Sequence, residues 1–97
     1  MYARVVRWEG AEAEAMKRTA AEIGSQAESG PPEGLPAKGF LLLQDPDGGK
    51  VMAISFFETE DDYRQGDATL NSMSPPSDGF GSRVGVDKYE VALEFEA

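Results

Sequence analysis

Between Lys50 and Glu58 the chain reads KVMAISFFE, an apolar run at strand period in which Val51, Ala53 and Phe57 oppose Met52, Ile54 and Phe56. Both faces are apolar, so both need cover. Thr59 follows as a candidate N-cap with Asp62 three residues on, and Glu60, Asp61 and Asp62 stand where a helix dipole favours negative charge. Tyr63, Gly66, Leu70 and Met73 then recur at helical spacing until Ser74, Pro75 and Pro76 end the run. Gly66 weakens this helix by about 1 kcal/mol against alanine, but a small residue on the inner face lets a helix approach a sheet closely.

The same reading assigns the rest of the chain. Tyr2, Arg4, Val6 and Trp8 alternate with Ala3, Val5, Arg7 and Glu9 in a first strand that Gly10 ends. From Ala11 a helical pattern places Met16, Ala20, Ile23 and Ala27 on one stripe, with Glu12 and Glu14 near its start. Glu28 to Lys38 is a Pro/Gly connector. GFLLLQ suits a strand covered on both faces, and Asp45 to Gly49 is a turn that joins it in a β-hairpin to the strand at Lys50–Glu58. A second Pro/Gly loop, SPPSDGFG, leads to a last strand expected from Ser82 to Phe95.

Strand, helix, strand, strand, helix, strand is the order of a ferredoxin-like α+β sandwich, a four-stranded antiparallel sheet with two helices on one face. Ninety-seven residues make one such domain, spanning 1–97. Two short helices cannot cover both faces of strands as apolar as these. A bare sheet face of that size marks an interaction surface, so a homodimer is expected, the competing reading being a monomer with scattered exposed apolar residues.

Composition removes several function classes. Eighteen acidic residues against nine basic ones give a net charge of −9, which phosphate backbones and anionic membranes repel. Nucleic acid and membrane are therefore not expected partners. With no cysteine and no histidine, thiol redox chemistry, a Ser-His-Asp triad, a histidine-held haem and a His or Cys zinc site are all unsupported by the chain's own residues. No metal and no cofactor is expected. The Asp61–Asp62 pair is explained by a helix N-terminus, and Asp45-Pro-Asp47-Gly-Gly lacks the twelfth-position glutamate of an EF-hand loop. The chain opens on strand residues without a charged leader or long apolar run, so a cytoplasmic protein is the expectation.

The element order, together with the wording FFETEDDYR and VDKYEVAL, resembles the antibiotic biosynthesis monooxygenase family of the dimeric α+β barrel superfamily. The resemblance implies a homodimer whose two sheets pack face to face about a two-fold axis and, in members that are enzymes, cofactor-independent oxygenation of aromatic polyketides held between helices and sheet. Many relatives have tryptophan where this chain has Phe57.

Four residues are candidates for such a site. Arg4 would stabilise a substrate phenolate and Tyr63 would position the substrate or exchange a proton, while Trp8 and Phe57 would line the aromatic pocket. Each also has an ordinary explanation. Trp8 reads as a core or interface residue at a strand end, Phe57 as core, and Tyr63 as a packed aromatic with a wet tip. Arg64, near Asp61 and Asp67, reads as part of a surface ion pair. The alternative to a ligand-binding, oxygenase-like protein is a non-catalytic structural or regulatory dimer with a filled interior.

Overall fold

In the computed structural model, which describes residues 1–28, 30, 34–72 and 80–95, the elements follow in the expected order. They are β1 (Tyr2–Glu9), α1 (Ala13–Ala27), β2 (Gly39–Asp45), β3 (Lys50–Phe57), α2 (Glu60–Ser72) and β4 (Ser82–Glu90). The strands form one sheet in the order β2-β3-β1-β4, with every neighbouring pair antiparallel. Each helix connects two strands that flank a third, which is the ferredoxin-like arrangement.

Register decides which side chains meet the helices. Tyr2, Arg4, Val6 and Trp8 stand opposite Phe57, Ser55, Ala53 and Val51, so these two rows share a face. Under α1 that face carries a core of Ala11, Met16, Val51 and Phe80, with Trp8, Ile23 and Leu42 packed around it. The Gln44 side-chain amide donates to the Met16 carbonyl at 3.2 Å and ties β2 to α1. Under α2, Phe57 meets Tyr63 edge to face with ring centroids 5.6 Å apart.

Local chemistry accounts for the turns and caps. The Asp45 carboxylate accepts the Gly48 N–H at 3.1 Å, and Gly49 takes φ +67°, which closes the β2–β3 hairpin. Thr59 Oγ1 accepts the Asp62 N–H at 3.1 Å and caps α2 as its sequence suggests. At Gly66 an added Cβ would overlap the Phe57 ring, so the missing side chain sets how closely α2 lies on β3.

One expectation needs correction. The last strand ends at Glu90 rather than Phe95, because β1 begins at Tyr2 and its final partner is Glu90. The Val91 N–H donates to the Met1 carbonyl at 2.9 Å, one residue past that pair. Within one chain the leucine run is covered on its helix side: Leu42 is half-buried toward the helices, while Leu41 and Leu43 are 49% and 48% exposed. Arg64 forms an exposed ion pair as expected, with Asp61 and with Glu60, while Asp67 turns to Arg4. Met73 and the helix stop at Ser74–Pro76 lie outside the described residues. No helix among the described residues is long and apolar enough to cross a membrane.

Candidate functional site

Arg4 reaches from the middle of the sheet into the layer beneath α2, where it is only 4% exposed. Its Nε donates to Asp67 Oδ1 at 2.8 Å and its Nη2 to Asn71 Oδ1 at 3.1 Å. Asp67 and Asn71 stand one helical turn apart on α2 and share a face, so together they grip one guanidinium. A charge this deep requires such partners.

Tyr63 is buried beside that group, its ring held between Phe57 and the Lys88 ammonium. Lys88 Nζ lies 5.0 Å from the Tyr63 ring centre and 5.1 Å from that of Tyr2, and it donates to Glu60 Oε1 at 3.0 Å. Burial raises the Tyr63 hydroxyl above its ordinary pKa, and the Asp67 charge adds to the effect; Arg4 and Lys88 oppose both more weakly. The hydroxyl therefore holds its proton at neutral pH. The hydrogen bond from Lys88, with the positive charges of Lys88 and Arg64, keeps Glu60 below the usual carboxylate range.

Arg4, Phe57 and Tyr63 are thus brought together, with Phe57 fully buried against Gly66 and Tyr63. Trp8 is not among them. It stands opposite Val51 while Phe57 stands opposite Tyr2, which separates the two aromatics along the sheet by about 20 Å at strand rise. Trp8 instead packs on Phe80, centroids 5.1 Å apart and tilted by 51°. Phe80, two residues before β4, gives no periodic signal in the sequence because it stands alone between glycines.

Open space lies at the Trp8 end. A concavity of about 390 Å³ spans neighbouring ends of β1, β2, β3 and β4, with Leu43, Met52 and Val84 as apolar lining. Arg7 and Lys50 bring positive charge to it, and Glu9 and Asp45 negative charge. In the register, Arg7, Leu43 and Met52 belong to the rows that face away from the helices. Trp8 borders the concavity from the helix-facing row of β1.

The Arg7 guanidinium is half-exposed and paired with Asp87 at 3.1 Å. Gly85, its cross-strand partner, leaves room for it: a Cβ at Gly85 would lie 2.7 Å from Arg7 Nη2. Sequence reasoning passed over Arg7 in favour of Arg4. The signal was the alternation itself, which puts Arg7 in the same row as Val5, on the face that lacks a helix.

Among the described residues, no cluster of three or more acidic side chains is placed to hold a metal ion. No model of a known protein family matches the chain, and no curated protein sequence matches it significantly.

Proposed function

We propose that this protein is a two-fold homodimer of the dimeric α+β barrel kind that binds a small aromatic molecule, with Arg7 as the cation at the binding site. One observation carries the reading. The 390 Å³ concavity opens at one end of the sheet, where Arg7, Leu43 and Met52 from the face that no helix covers meet Trp8, Gln44 and Val51 from the helix-facing rows, and the partner of its arginine is half in water. A space of a few hundred cubic ångströms suits a small ligand, here with apolar lining flanked by the charges of Arg7, Lys50, Glu9 and Asp45, and a second sheet laid over it would exclude water. Leu41, Leu43, Val84 and Tyr89, each more than 40% exposed, supply the apolar surface for that second sheet.

The resemblance to the monooxygenase family adds the chemical class: an aromatic phenol or quinone, and in the enzyme version a substrate carbanion that reacts directly with dioxygen. That version assigns Arg4 to the phenolate and Tyr63 to proton transfer, and it requires α2 to release Arg4 from Asp67 and Asn71. The gripped guanidinium favours a second reading, a non-catalytic binding or structural dimer, because the layer between α2 and the sheet is filled at that point by Arg4, Phe57 and Tyr63.

Calorimetric titration with a panel of phenols and quinones, run beside an oxygen electrode, separates these readings. Saturable binding that Arg7→Ala weakens by about tenfold or more supports the site, since a hydrogen bond to a charged group contributes roughly 1.5–3 kcal/mol. Oxygen uptake with turnover supports the oxygenase version. Absence of binding by every member of the panel, in protein shown to be folded, leaves the structural dimer.

A further inference from the structure

Beyond Glu90 the chain keeps an alternating apolar row with nothing to rest on. Tyr89 stands opposite Ala3 and so belongs to the face that lacks helices. Val91, Leu93 and Phe95 continue its parity, and the Val91 hydrogen bond to Met1 carries the ladder one residue past the last strand pair. Leu93 is 87% exposed and Phe95 84%, the two most exposed large apolar side chains among the described residues. Single apolar residues on a surface need no explanation, but a periodic pair continuing an apolar sheet face does.

We infer that residues 91–95 form an arm that lies against the uncovered sheet face of a second copy of this chain. The inference rests on the homodimer proposed above and adds which segment completes it. Direction argues for a second copy. The arm leaves β4 at the end where β1 starts, so it runs off its own sheet rather than across it.

Area argues the same way. The four side chains on the face that are more than 40% exposed offer on the order of 400 Å², about half of the ~800 Å² per partner that a stable interface buries. Leu93 and Phe95 together add nearly as much again, on the order of 300 Å². On the face itself Arg7 and Asp87 are paired with each other, and Lys50 lies with Glu9 and Asp45 around the concavity, so both signs of charge are present there. The alternation also leaves Glu90 and Glu94 on the opposite side of the arm, toward water.

The test compares three chains by sedimentation velocity: the unmodified protein, Leu93→Ser/Phe95→Ser, and a chain ending at Glu90. The expected result is a dimer for the unmodified chain and self-association weakened by about a hundredfold or more for the double variant, whose far-ultraviolet circular dichroism stays that of the unmodified protein. The double variant keeps the test valid if the shortened chain does not fold. A dimer as tight as the original in the double variant overturns the arm and leaves the homodimer standing, whereas a monomeric unmodified chain overturns both. A photoreactive phenylalanine analogue at position 95 supplies an independent readout. It should yield a product of twice the chain mass that maps to the partner's β2 or β3. Adducts of single-chain mass would show the arm folded onto its own sheet and contradict the inference.

Discussion

Arg4 Nε donates to Asp67 Oδ1 at 2.8 Å across the boundary between β1 and α2, joining residues 63 positions apart. Arg4 is nearly inaccessible, while the Asp67 side chain is 38% exposed. Removing the carboxylate strands a guanidinium in the interior with Asn71 as its remaining partner. Asp67→Ala should therefore destabilise the fold by about 2–4 kcal/mol in chemical denaturation. Arg64→Ala, which breaks only exposed pairs to Glu60 and Asp61, should change stability by no more than about 1 kcal/mol. Equal effects of the two substitutions would mean that the buried pair does not anchor α2.

Gly66→Ala opposes two effects of known direction. Helix propensity favours alanine by about 1 kcal/mol, whereas the new methyl group meets the Phe57 ring and must push α2 off the sheet. Overpacking at a rigid aromatic costs about 1–3 kcal/mol, so the net outcome should be destabilising. Phe57→Leu should recover part of the loss in a double-mutant cycle. A stabilised Gly66→Ala protein would show that helix and sheet are not in close contact there.

Tyr63 predicts a loss of stability in alkali. Its folded pKa is raised above the ordinary value of 10.0 by burial and then by Asp67. The protonated form is thus favoured by folding. That contribution is fully present below the unfolded pKa near 10.0 and is lost as pH rises through the folded one. Denaturation midpoints measured at about pH 9 and about pH 11 should fall further for the unmodified protein than for Tyr63→Phe. Parallel curves for the two proteins would remove Tyr63 as the cause.

Period and punctuation made most of the fold legible in the sequence. The hairpin at Asp45–Gly49, the Thr59 cap and the small inner residue Gly66 each act through neighbours within a few positions or through a simple steric rule, and each is found as read. What was not legible depends on partners distant in the chain. Nothing near Asp67 announces that it will turn to Arg4 rather than to Arg64, which is closer in sequence. The end of β4 depends on where β1 begins, so apolar alternation through Phe95 overran it. For the candidate site, parity correctly put Arg4 and Trp8 on one face, but strand rise then set Trp8 far from Phe57 and Tyr63. The concavity beside Arg7 arises where four strand segments meet, a relation that no single segment displays.

The uncovered sheet face, with Leu41, Leu43, Val84 and Tyr89 half in water, is the basis of the functional account, because the proposed ligand site becomes enclosed only when a second sheet lies over it. Sedimentation equilibrium of the unmodified chain at tens of micromolar tests this most directly. The account predicts a single species of twice the 10.4 kDa chain mass, and a shift toward the chain mass when Leu41 is replaced by glutamate. A mass of 10.4 kDa for the unmodified chain throughout the concentration range would contradict it.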